Sequence, residues 1–163
     1  MIVGQAPGAV EVTTRVPFSG RAGAELRRWL ARAGIGPDEL PYRTSITKCF
    51  PGKAASGPGD RVPSPAEIAL CTPWLERELA LLRPAVIVPV GLLAIGRLWG
   101  RGPLAGIVGQ SARRPDLGNA LLIPLPHPSG ASHWLNDPVN QRLLERAIGL
   151  LAEARRDVQG LDG

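Results

Sequence analysis

MIVGQAPG (residues 1–8) and LLIPLPHPSG (residues 121–130) decide the fold of this 163-residue chain. Each is an apolar run that reads as a buried strand and ends in a turn of glycine and proline. In an open parallel sheet, the loops at the carboxyl ends of the strands converge on one crevice, however far apart they lie in sequence. The first and last strands can therefore deliver an amide side chain, Gln5, and an imidazole, His127, to one pocket.

Between these two runs the pattern alternates. Leu26, Trp29, Leu30 and Ala33 recur at helical spacing and predict a helix over 21–33, closed by Gly34. Residues 42–47 read as a second strand. The four prolines and three glycines of 51–65 read as a loop. Ser64-Pro65-Ala66-Glu67 joins a capping box to a proline at the first helical position, and predicts a helix that stops before Pro84. Residues 85–90 form an apolar strand, a short helix follows Gly91, and 121–125 are the last strand. A final helix spans about 137–155, with Leu143, Leu144, Ala147, Leu150 and Leu151 on one face. Strands that are apolar throughout, alternating with helices, predict an α/β fold: a three-layer α/β/α sandwich around a four-stranded parallel sheet. One domain over residues 1–163 is expected, with no internal repeat.

No apolar run approaches the length of about 18 residues that a membrane span needs. No basic stretch followed by an apolar run opens the chain, and a cytoplasmic protein that contacts no membrane is expected. Lys and Arg total 19 against 14 acidic residues, a charge of +5. That suits a polyanionic partner, although 17 arginines amid abundant Ala, Gly and Pro also suit a GC-rich coding sequence. The two cysteines, Cys49 and Cys71, are not expected to pair in a reducing compartment, and free thiols of this kind commonly pack as small hydrophobes.

GQAPG lacks the GxGxxG spacing of a dinucleotide loop and the GxxxxGK[ST] of a phosphate loop. No GxSxG nucleophile elbow occurs either. Taken alone, the pentapeptide is an ordinary strand-to-helix turn, and a lone histidine is more often packed or solvated than reactive. Two features raise both above that. VPFSG sets an aromatic, Phe18, immediately before a glycine-bounded helix start. His127 sits between two prolines, whose rigidity fixes the direction of its side chain.

The stretch IVGQAPGAVEVTTRVPFSGRAG, the PHPSG turn, TSITKCFPG (residues 44–52) and PxxIVPVG (residues 84–91) together resemble the uracil-DNA glycosylase superfamily. Within it the resemblance is to the iron–sulfur bacterial branch, family 4, whose first turn reads G-E-[AG]-P-G and whose second motif is H-P-S. The likeness covers nearly the whole chain. It implies a hydrolase that flips a damaged base out of DNA and cleaves its N-glycosidic bond in base excision repair, acting as a monomer and needing no catalytic metal. By the same resemblance Gln5, Ala6, Phe18 and Ser45 line the base pocket, with Phe18 as the stacking wall. His127 donates a hydrogen bond to the departing base. Ser129, Gly130 and Ala131 grip the DNA phosphates, and a member of 131–135, of which Trp134 and Leu135 are the bulky ones, wedges into the vacated stack.

The chain departs from that pattern at three points. The family asparagine that reads the uracil edge is Ser45 here, shorter by an amide, which opens the question of a different deaminated base. The aspartate that positions the attacking water in the best-known uracil glycosylases is replaced by Ala6, as it is in family 4, and Glu11 is the nearest carboxylate to take that role. Cys49 and Cys71 match two of the four cysteines that bind a [4Fe–4S] cluster in family 4. Two thiolates cannot ligate it alone. Either two further cysteines lie upstream or the cluster has been lost; because the chain opens inside a core strand, a missing N-terminal segment is expected. The alternative in a different class is a DNA-binding module of the same fold without catalysis.

Overall fold

Ile2 and Val3 are neighbours in sequence and point to opposite faces of the sheet, and that alternation organises the molecule. The computed structural model describes residues 1–57, 59–129 and 133–161. Ile2 joins Val88, Val90, Ile123 and Leu125 in a core closed by Leu26, Trp29 and Leu30 of one helix and by Leu144, Ala147, Ile148 and Leu151 of another. Val3 joins Ile87, Ala120 and Leu122 in a second core, closed by Leu75, Ala94 and Leu98. Strands buried on both faces carry apolar residues at every position, which is why period two is invisible in their sequences.

The strands are β1 (Ile2–Gly4), β2 (Arg43–Ser45), β3 (Val86–Pro89), β4 (Ala112–Arg114) and β5 (Ala120–Leu122), in the order β2-β1-β3-β5-β4. All four predicted strands are present and parallel to one another. The expected four-stranded sheet gains a fifth member: β4 runs antiparallel along the edge of β5. Its sequence, Ala-Arg-Arg, has no apolar signal because an edge strand buries little.

Helix α2 (Arg21–Arg32) and α5 (Pro138–Leu161) cover one face; α3 (Pro65–Leu82) and α4 (Leu92–Leu98) cover the other. The first crossover leads from β1 outward to β2, and the later ones lead back past β1 to β3 and β5. With right-handed crossovers, that reversal places the helices on opposite faces and opens a crevice between the carboxyl ends of β1 and β3. Pro89 has no N–H to give the ladder. Beyond Leu122 the β3–β5 pairing continues through Ile123 N to the Ile87 carbonyl at 3.0 Å, Leu125 N to the Pro89 carbonyl at 2.9 Å and Gly91 N to the Leu125 carbonyl at 3.0 Å.

The start of α3 is as the sequence predicts: Ser64 Oγ accepts from the Glu67 amide at 3.3 Å, and the Glu67 carboxylate accepts from the Ser64 amide at 2.7 Å. Two local features escaped the sequence reading. A six-residue helix, α1 (Ala9–Thr14), follows the first turn, although valine and threonine are poor helix formers. Residues 51–65 are not irregular throughout, since 52–54 and 59–61 pair as the arms of a hairpin with Lys53 opposite Asp60.

Candidate active site

The crevice at the ends of β1 and β3 is built from backbone first. Gly4 stands opposite Ser45 in the parallel ladder. Past the strands, the Ile46 amide donates to the Gly4 carbonyl at 2.9 Å and the Thr47 amide to the Gln5 carbonyl at 3.2 Å. Gln5 and Ala6 are thereby held beside Ser45, all three half-buried. The Ser45 hydroxyl donates inward, to the Thr47 carbonyl at 2.7 Å. Its proton is committed, and only its lone pairs are left for a ligand.

Phe18 closes this corner. A Cβ on Gly4 would lie 2.7 Å from Phe18 Cζ, so the ring rests directly on the β1 backbone and only glycine fits beneath it. Phe18 is itself held in the left-handed region, at φ 56°, a conformation that costs a bulky side chain about 1–3 kcal/mol. Two contacts hold it there. Arg27 Nη1 donates to the Phe18 carbonyl at 2.9 Å, and α2 crosses so close at Gly23 that a Cβ there would sit 1.7 Å from the same oxygen.

Glu11 ties the two loops together. One carboxylate oxygen accepts from the Gly8 amide at 3.0 Å, the other from the Gly20 amide at 2.8 Å. Its place at the third residue of α1 makes the first of these half of a capping box.

His127 reaches the crevice from the end of β5. Its ring lies against Gly91, where a Cβ would come within 3.2 Å of Cδ2; Gly91 also has φ 83°, so a side chain there would clash and be strained. The Ser129 amide donates to His127 Nδ1 at 3.2 Å. The residue is exposed to solvent, yet the protein atoms around the ring lower its pKa below 6.5 by desolvation. A neutral imidazole that accepts at Nδ1 carries its proton on Nε2.

The remaining predicted residues are more dispersed. Gly130 and Ala131 lie outside the described residues. Trp134 sits in a short 3-10 helix (His133–Asn136), half-buried against the α2/α5 core, and Asn140 Nδ2 donates to its carbonyl at 2.8 Å. Cys49 is exposed and Cys71 half-buried; the Lys48 amide donates to Cys71 Sγ at 3.4 Å, which brings the two cysteine-bearing segments together. Among the described residues no group of three or more His, Cys, Asp or Glu is placed to hold a metal ion. Two thiols therefore supply half of the ligand set a four-iron cluster requires, and the residues present do not fit it by themselves.

Lys48 performs a separate task that its position beside Cys49 conceals. Its ammonium reaches the Ser45 carbonyl at 2.9 Å, Thr44 Oγ1 at 2.6 Å and Glu78 Oε2 at 2.8 Å, fastening the end of β2 to α3. No sequence motif announces that network. Gly91 could have been found: a glycine directly after a buried strand, in PVG, marks a close backbone approach.

The turn carrying Gln5, the Phe18 ring on the end of β1 and the His127 imidazole beyond β5 thus stand at the carboxyl ends of the parallel strands. The sequence model of the Uracil DNA glycosylase superfamily matches residues 1–149, and the chain belongs to that superfamily. It is 36% identical over 104 residues to the type-4 uracil-DNA glycosylase of Pyrobaculum aerophilum, covering 62% of this chain and 50% of that protein. It is 34% identical over 130 residues to the Thermotoga maritima type-4 enzyme, covering 79% and 64% respectively. The likeness to the type-4 enzyme of Saccharolobus solfataricus is 28% over 169 residues, covering 94% of this chain and 70% of that one. The chain thus spans about half the length of the first of these relatives and less than two thirds of the second.

Proposed function

We propose that this chain is a monofunctional DNA glycosylase of base excision repair, removing uracil or a related deaminated base by hydrolysis of its N-glycosidic bond. The observation that carries the reading is the setting of His127: the Ser129 amide donates to Nδ1 at 3.2 Å, which leaves Nε2 to hold the proton of the neutral ring, and desolvation lowers its pKa.

When the glycosidic bond breaks, its electron pair leaves with the base and the sugar is left cationic. Negative charge gathers on the carbonyl oxygens of the base, and a donor fixed in advance stabilises it without reorganising. His127 Nε2–H is that donor. Phe18 stacks on the flipped base, a contact worth about 1–3 kcal/mol. Gln5 and Ala6 present the first turn to its edge. Ser45 accepts a hydrogen bond from an N–H of the base but has no proton to give, which favours a base offering a donor at that point. The few kcal/mol that flipping costs are smallest for a mispaired, deaminated base.

Glu11 frames the pocket by bracing the Gly8 and Gly20 amides, and a water-orienting role for it must use the lone pairs those amides leave. Ser129, Gly130 and Ala131 contact the DNA phosphates, and Trp134 lies on the segment that follows, next to the vacated stack. Cys49 and Cys71 are two of the ligands of a [4Fe–4S] cluster provided that two further thiolates join them; iron and sulfide analysis of the purified protein tests this. That no helix among the described residues is long and apolar enough to cross a membrane is compatible with a cytoplasmic enzyme that acts on DNA as a monomer.

The test is excision from a duplex carrying one uracil by the wild type and by H127A. Loss of the donor should lower the single-turnover rate by about 10²–10³-fold, the usual value of one preorganised donor. Affinity for a duplex with a tetrahydrofuran abasic analogue should stay unchanged. An equal fall in affinity would contradict a transition-state role.

A further inference from the structure

Asp60 lies against Gly8, the last residue of the turn that Gln5 and Ala6 open, on a segment whose sequence suggests only a loop. The hairpin that carries it is closed by Arg61 N to the Gly52 carbonyl at 2.9 Å and Ala54 N to the Gly59 carbonyl at 3.0 Å. Its base is fastened to α3. The Arg61 guanidinium reaches the Pro51 carbonyl at 2.9 Å and both oxygens of Glu67, at 2.7 and 2.9 Å. So fixed, the hairpin leans on the first turn: a Cβ on Gly8 would lie 3.1 Å from Asp60 Oδ2 and 2.8 Å from Glu11 Oε2.

The two carboxylates differ in what they have to offer. Each Glu11 oxygen already accepts a backbone N–H. Asp60 uses Oδ1 alone, in an ion pair with Lys53 Nζ at 2.7 Å, while Oδ2, the oxygen beside Gly8, has no protein donor among the described residues. Lys53 Nζ also lies 5.9 Å from the centre of the Phe50 ring.

We infer that Asp60 is the catalytic carboxylate that orients the attacking water, and that Glu11 is a positioning residue. The inference rests on the glycosylase reading. Asp60 Oδ2 accepts a hydrogen bond from a water at the first turn. As the C1′–N bond breaks, its electron pair goes to the base, where His127 Nε2–H stabilises it. The water oxygen bonds to C1′ and its proton passes to Asp60, from which it returns through solvent to the base anion.

The test measures single-turnover excision of uracil, and affinity for a tetrahydrofuran abasic duplex, for the wild type, D60N and D60A, each with its thermal melt. D60N keeps the shape of the side chain and should fold normally. General-base contributions are typically about 10²–10⁴-fold, and D60N should lose at least about 100-fold in rate with its affinity unchanged. Formate should restore part of the rate to D60A, which no merely structural role would allow. A D60N rate close to wild type, or D60A without formate rescue, overturns the assignment and leaves the glycosylase reading intact. A wild type that excises nothing overturns that reading and this inference with it.

Discussion

His127 illustrates how much a single residue's surroundings add to its identity. The PHPSG motif marks the histidine, but its protonation state comes from the Ser129 amide and from the protein crowded around the ring. Because burial lowers its pKa, the unfolded chain takes up the proton first as the pH falls. The stability contributed by the neutral ring is complete above the ordinary value of 6.5 and is lost as the pH drops through the lower folded value. Protonation also turns Nδ1 into a donor facing the Ser129 N–H. We expect the acid limb of the single-turnover rate attributable to His127 to fall below pH 6.5 and to vanish in H127A; a limb at or above 6.5 would contradict a neutral, desolvated ring. Ser45 was legible in the same partial way. Its departure from asparagine can be read in the sequence, whereas the commitment of its proton to the Thr47 carbonyl cannot. S45N restores an amide with both a donor and an acceptor, and should raise the rate on uracil relative to hypoxanthine and xanthine. Unchanged ratios would mean that residue 45 does not touch the base.

Legibility followed burial among the elements. β1, β3, β5 and the helices that cover them were readable because their cores demand apolar runs and helical spacing. β4 and α1 were not: one is an arginine-bearing edge strand, the other a six-residue helix of β-branched residues held by Glu11. The α3 start was readable because its signal is local. S64A should lower stability by about 1 kcal/mol in chemical denaturation, the cost of one N-cap. At the end of β2, Thr47 Oγ1 is buried with no hydrogen-bond partner among the described residues. A hydroxyl in that position costs rather than contributes, so T47V should be neutral or stabilising by about 1 kcal/mol; clear destabilisation would reveal an unseen partner. G23A is the opposite case. Alanine helps most helices, yet here its Cβ would strike the Phe18 carbonyl, and melting should show a loss of about 1–3 kcal/mol.

Across the whole molecule, the strand order brings together residues separated by more than a hundred positions. Gly4 ends β1 and Gln5 follows it, Ser45 ends β2, Gly91 follows β3 and His127 follows β5. One topological reversal places all of these ends around a single crevice. The strand ends were legible in the sequence, because glycine and proline turns after apolar runs mark them. What the sequence could not supply was the contribution of the hairpin that carries Asp60, since long-range contacts such as the Asp60 carboxylate against Gly8 leave no periodic signal. The central claim, that this crevice removes a base from DNA, is tested most directly by incubating the protein with duplexes carrying one uracil, hypoxanthine or xanthine, and cutting abasic sites with alkali. The account predicts strand cleavage at uracil or at one of its deaminated relatives, dependent on His127. Intact strands on all three duplexes, with the DNA still bound, would contradict it and mark the chain as a binding module of the same fold.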